Sequence, residues 1–111
     1  GGCVVLAPVE KSAVIGEGIE STLSASVVLG LPGIATLGSS GMMRLDLPKR
    51  IVRAVIAYDR DLNGAGRRAA HALGQRLIAQ GCRVDLAAPP DGHNDFNDWV
   101  RSDTSKSIPN G

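Results

Sequence analysis

The strongest constraint on the fold is the run Ile51-Val52-Arg53-Ala54-Val55-Ile56-Ala57-Tyr58, followed at once by Asp59-Arg60-Asp61. From Ala54 onward the run is apolar without alternation. That is the pattern of a central strand covered on both faces, not of a half-exposed one. Strands of this kind lie parallel to their neighbours, and parallel neighbours need crossover connections that are usually helices. The rest of the chain supplies them. Residues 2–7 read as an edge strand or hairpin arm, residues 13–16 as a second strand, 34–37 as a third and 83–87 as the last. Between them, residues 19–29 carry enough apolar side chains for a mostly buried helix, with Gly30 as C-cap and Pro32-Gly33 as a turn. A short polar helix is expected over 42–47, stopped by Pro48. A long helix is expected from Asn63 as cap through Ala79, ended by Gly81. Its core face is Ala65, Ala69, Ala72, Leu73 and Leu77, with Arg67, Arg68, His71 and Gln75 toward the other side. The alternation predicts an α/β fold: a mostly parallel sheet of about four strands with helices on both faces.

The length, 111 residues, suits one domain. We expect it to span residues 1–101, with 1–12 as edge strand and lead-in and 102–111 as a disordered tail rich in Ser, Asp and Lys. No apolar run approaches the roughly 20 residues that span a bilayer. The first residues, Gly1-Gly2-Cys3-Val4-Val5-Leu6, lack the basic start and cleavage pattern of a signal peptide. The lack of an initiator Met is read as the mark of a piece of a longer protein, and a cytoplasmic location is expected. Cys3 and Cys82 have no paired spacing and, with His71 and His93, do not complete a zinc site, so both are expected to pack as small reduced thiols. The three aromatics, Tyr58, Phe96 and Trp99, are too few for a base-stacking platform.

A formal net charge of +1 argues at first against a nucleic-acid binder, but the charge is segregated. Residues 1–43 hold one base and three acids, residues 84–111 two bases and five acids, and residues 44–83 nine bases against three acids. In open parallel sheets the site lies beyond the C-terminal strand ends. The acids gather there: Glu17 after the second strand, Asp59 and Asp61 after the central one, Asp95 and Asp98 beyond the last. Like charges on one rim repel unless a cation neutralises them. All these donors are oxygens, which selects a hard ion, Mg²⁺ or Mn²⁺ as its substitute. Asp59 and Asp61 alternate around Arg60 and so point to one side of an extended segment. A calcium loop starting at Asp59 fails, because its twelfth position is Ala70 and a strand precedes it. An aspartyl phosphotransferase would want a hydroxyl where Asn63 stands.

Gly16-Glu17-Gly18 after one strand, Asp59-x-Asp61-x-x-Gly64 after another and the following Ala69-Ala70 resemble the Toprim domain of primases and topoisomerases. The resemblance runs from about residue 13 to residue 100. Glu17-Gly18-Ile19-Glu20-Ser21, Gly38-Ser39-Ser40-Gly41, Asn63-Gly64-Ala65-Gly66 and Gly92-His93-Asn94-Asp95-Phe96-Asn97-Asp98-Trp99 look most like phage- or plasmid-type primase-helicase proteins. Two positions depart from the chromosomal primase pattern. Ser21 stands where an Asp follows the first Glu by four, and His93-Asn94 replaces a Lys-containing segment.

The resemblance implies a compact Rossmann-like Toprim fold and Mg²⁺-dependent transfer at phosphorus. It implies Glu17 as acid/base group and metal contact, Asp59 and Asp61 as metal ligands, and Asp95 with Asp98 as auxiliary acids. Arg60, Arg67 and Arg68, with Gly38, Ser39 and Ser40, are the phosphate- or nucleic-acid-binding candidates; the helix start near Asn63 adds partial positive charge. The implied function is the catalytic domain of a DNA primase-like protein making primers from nucleoside triphosphates on DNA, beside a helicase or other domains of its parent. By itself it is expected to be inactive. The alternatives are a DNA-cleaving nuclease or topoisomerase-like domain and a non-catalytic docking module. Tyr58 lies inside the central strand and is expected to be a core aromatic, so the chain holds no candidate topoisomerase nucleophile.

Overall fold

The structure, a computed structural model, describes residues 3–6, 11–59 and 64–88. Arg60, Asp61, Asn63, Asp95 and Asp98 lie outside the described residues, as does the expected tail. The described elements are β1 (Val4–Val5), β2 (Ser12–Gly16), α1 (Ile19–Leu29), β3 (Gly33–Ala35), α2 (Ser39–Arg44), β4 (Arg53–Ala57), α3 (Ala65–Ala79) and β5 (Arg83–Ala87).

The sheet order is β1-β3-β2-β4-β5, with β1 antiparallel to β3 and every other pair parallel. Ile15 pairs with Ile34 on one side and Ile56 on the other, so β2 is central. The run that opened the sequence reading, β4, is its neighbour and is buried from Ala54 to Ala57. The chain leaves β2 toward β3 and leaves β4 in the opposite direction, toward β5. With right-handed crossovers, those opposite moves put α1 on one face and α3 on the other.

The two faces are packed unequally. Beneath α2 and α3, Ile15, Ile34, Met42, Ile56, Leu73 and Leu77 belong to one large buried cluster. Beneath α1, the buried apolar cluster among the described residues is Val14, Ala25, Val55 and Ala57, with Val28, Leu29 and Leu31 half-buried against them. The expectation that α1 is mostly buried is therefore corrected. Only its Thr22 and Ala25 are buried, and Ile19, Leu23 and Val27 form an exposed row. Apolar density alone cannot distinguish a helix covered on two sides from one lying on a single sheet face.

Smaller differences have local causes. The short helix expected over 42–47 starts earlier, at Ser39, and ends at Arg44. Gly30 does cap α1, at φ 69°. Tyr58 is half-buried against the large cluster rather than enclosed, and its N–H donates to the Ala87 carbonyl at 3.0 Å. Both cysteines are free thiols, but Cys3 is exposed while Cys82 is buried. Desolvation raises the Cys82 pKa above its ordinary 9.0.

Candidate functional site

The strands β2 and β4 end side by side, and the chain turns away from them in opposite directions. That arrangement opens a crevice at the C-terminal edge of the sheet. Glu17 stands at the end of β2, one residue after Gly16. Asp59 stands two residues after β4. Both are half-exposed. The two carboxylates thus come from neighbouring strands, whose backbones lie about 4.8 Å apart.

Each carboxylate is gripped by a serine from the start of a helix. Ser21, in the first turn of α1, donates its hydroxyl to Asp59 Oδ1 at 2.8 Å. Ser39, the first residue of α2, donates to Glu17 Oε2 at 3.1 Å. Hydrogen bonds onto an ionised acceptor are stronger than neutral ones and fix the carboxylate rotamer. The grips cross the crevice: α1, which follows Glu17, holds Asp59, while Glu17 is held by α2.

The backbone between β3 and α2 is shaped to make the second grip. Thr36 N–H donates to the Gly16 carbonyl at 2.7 Å, and Leu37 N–H to that of Glu17 at 2.6 Å. The buried Thr36 hydroxyl reaches the carbonyl oxygens of Gly16 and Gly38, each at 3.1 Å. Leu37 then takes a left-handed conformation, φ 63°, and Gly38 follows at φ 130°, ψ 171°. The first is costly for a leucine, and the second is open essentially only to glycine. This turn brings Ser39 back over Glu17.

Beneath the Glu17 turn the contact with α1 is tight. A Cβ on Gly16 would collide with Thr22 Oγ1. That hydroxyl is fully buried and has no hydrogen-bond partner among the described residues.

Arg67 and Arg68 occupy the first turn of α3 and line an open groove of about 630 Å³ with Gly64, His71, Ala72 and Gln75. Of the expected phosphate contacts, Gly38 caps α2, Ser39 is engaged with Glu17, and Ser40 is in the first turn of α2. Among the described residues no three His, Cys, Asp or Glu side chains converge as a metal cluster. Asp61, Asp95 and Asp98 are outside that set. The donors at the two neighbouring strand ends, two carboxylates with serine hydroxyls behind them, are all oxygen and suit a hard divalent cation. No described helix is long and apolar enough to cross a membrane.

The Toprim domain model matches residues 12–106. The chain belongs to the Toprim family. Among solved structures, the Toprim chain is similar to a crystal structure of a DNA primase domain from Pseudomonas aeruginosa, with a TM-score of 0.57. Sequence identity is 23%, over 84% of this chain and 30% of that one, so the likeness is one of fold, and this chain spans under a third of that one. No curated protein matches the chain.

Sequence reasoning missed the two serine grips. In the sequence Ser21 stands out only as a departure from the pattern of the resemblance, and Ser39 only as a phosphate-contact candidate. The available signal was spacing: Ser21 follows Glu17 by four residues, which puts it on the first turn of α1, beside the crevice.

Proposed function

We propose that this Toprim domain is the Mg²⁺-dependent catalytic part of a DNA primase-like protein, serving nucleotidyl transfer during primer synthesis. The observation that carries the reading is the pair of carboxylates at adjacent strand ends, each oriented by its own serine. Asp59, with Asp61 two residues on, would hold the cation, and Glu17 would share it or act as acid/base group. Asp95 and Asp98 are the auxiliary acids of the proposal. A bound Mg²⁺, or Mn²⁺ in its place, supplies neutralisation of the nonbridging phosphate oxygens.

The chain's own residues do the rest. Glu17 accepts the proton of the attacking hydroxyl, with Ser39 holding Oε2 so that the carboxylate does not rotate away. Ser21 does the same for Asp59. Arg60, Arg67 and Arg68 meet the phosphates, and the amides around Gly38, Ser39 and Ser40 give secondary contacts. The reading brings with it DNA and nucleoside triphosphates as partners, a parent protein with a helicase or other domains, and a cytoplasmic setting. The isolated domain turns over little.

The test is a Mg²⁺ or Mn²⁺ titration of the 111-residue chain followed residue by residue by NMR. Perturbations should centre on Glu17, Asp59 and Asp61 and disappear in Asp59→Ala. Perturbation elsewhere, or none at millimolar metal, would overturn the site.

A further inference from the structure

The helix α2 is only six residues long, and it carries the serine that fixes Glu17. A helix that short has little stability of its own. Its entry is strained, with Leu37 and then Gly38 at positive φ. Backbone of that kind persists only where its surroundings over-determine it. Within α2 the buried residue is Met42, and one buried side chain fixes a place without fixing a direction. Leu45 and Leu47, just beyond α2, are buried as well. The exit from α2 is held by hydrogen bonds. The last carbonyls of a helix have no partner inside it, and that end attracts cations. Arg76 of α3 meets both needs. Its Nη2 donates to the carbonyl oxygens of Met43 and, at 2.9 Å, Leu45. Its Nη1 lies 3.6 Å from Asp46, but that carboxylate is exposed and the ion pair adds little. Four residues on, Gln80, the C-cap of α3, donates to the Leu47 carbonyl at 3.0 Å. The accepting carbonyls follow one another along the chain, so α3 clasps it as it leaves α2. Leu73 and Leu77, on either side of Arg76 in α3, are buried, so the clasp is mounted on a fixed element.

We propose that Arg76, with Gln80 beside it, is a positioning residue for the carboxylate site, acting through α2 and Ser39 on Glu17. The proposal rests on the proposed function and deepens it, by assigning the orientation of the acid/base group to a side chain outside the crevice. From Ser39 to Met43 the helix rises about 6 Å. Over that length α2 moves as one piece, so a tilt at its exit reaches Ser39. The Ser39–Glu17 hydrogen bond, at 3.1 Å, is already long for a hydroxyl donor, and a small shift ends it. Asp59 has no such route. Its serine sits on α1, over the opposite face of the sheet, so Arg76 acts on one carboxylate and not on the other.

The experiment is NMR of the full 111-residue chain, first without metal, reading the side-chain NOEs from Ser39 to Glu17 and from Ser21 to Asp59. Arg76→Met keeps the length and packing of the stem and removes the donors. It should lose the first NOE and keep the second. Arg76→Lys, which retains a cationic donor without the planar fork, should restore the first in part. In a Mg²⁺ titration Arg76→Met should weaken affinity between about 2- and 30-fold. In a Ser39→Ala background the same change should add nothing, because its route is already cut. Circular dichroism melts establish that each variant is folded at the temperature of measurement. An intact Ser39–Glu17 NOE in Arg76→Met, or in Gln80→Ala if Arg76→Met does not fold, would overturn the proposal and leave α2 to its apolar anchors. Equal loss of both NOEs would also overturn it, as the mark of a general loosening. So would additive losses of Mg²⁺ affinity from Arg76→Met and Ser39→Ala. A wild-type chain without a Mg²⁺ response would instead overturn the proposed function, while the metal-free NOEs still decide the role of Arg76.

Discussion

The helices α1 and α3 cover opposite faces of one sheet and do so in different ways. Along α3, Ala69, Ala70, Leu73 and Leu77 are buried, with the glycines Gly66 and Gly74 on the same inner side. Along α1, Thr22 and Ala25 are buried while Ile19, Leu23 and Val27 face outward, Val27 at 67% exposure. The buried positions of α3 are packing residues. Those of α1 include a hydroxyl with no partner among the described residues, lodged against Gly16 just before Glu17, and one residue earlier in α1 comes the serine that grips Asp59. The α3 face therefore carries the stability, and α1 is placed for the site.

The largest expected effect breaks the α3 side. Leu73 is fully buried in the large cluster, so Leu73→Ala should destabilise by about 3 kcal/mol through lost transfer energy and a residual cavity. Leu23→Ala on α1, at 51% exposure, should cost less than about 0.5 kcal/mol. Urea unfolding of the two variants checks the pair, and equal costs would mean that α1 is packed as firmly as α3.

Next in size is the close approach under Glu17. Gly16→Ala should cost about 2 kcal/mol, because the new methyl meets Thr22 Oγ1 and neither the strand nor the helix can withdraw freely. The cost should shrink in a Thr22→Ala background, giving a coupling of more than about 1 kcal/mol in a double-mutant cycle. Additive effects would show that the two backbones do not meet there.

Thr22 itself gives a prediction of opposite sign. A buried hydroxyl without a partner costs the fold its desolvation. Replacing it by a methyl of the same shape, Thr22→Val, should raise stability by about 1 kcal/mol in thermal unfolding. A loss of stability would mean that the hydroxyl has a partner in solution.

Much of this was legible in the residues. The unbroken apolar run of β4 and the strand–helix alternation specify a parallel sheet, because covered strands and crossover helices leave that pattern. Glu17 and Asp59 are legible as a pair because charges directly after buried strands need a reason. The exposed row on α1 was not legible: periodicity reports that a helix has apolar positions, not how many of its sides are covered. The grips were not legible because Ser21 and Asp59 are 38 residues apart and meet only once β2 and β4 lie adjacent. The strained turn at Leu37 was hidden for the same reason, since nothing in Thr36-Leu37-Gly38 announces a left-handed leucine.

The smallest effect on stability is expected at the residue that matters most to the comparison. Ser21→Ala removes one half-exposed hydrogen bond and should cost less than about 1 kcal/mol. If α1 serves the site more than the fold, the same change should still weaken the Mg²⁺ response at Asp59 in the NMR titration by about 10-fold, because groups that orient a ligand carboxylate set its affinity. Ser21→Asp carries the test further. It replaces the donor with a second acid, so it should destabilise the metal-free protein through repulsion with Asp59 and recover that loss when Mg²⁺ is added. A Ser21→Ala protein that melts early yet titrates normally would reverse the assignment, making the α1 serine a structural fastener.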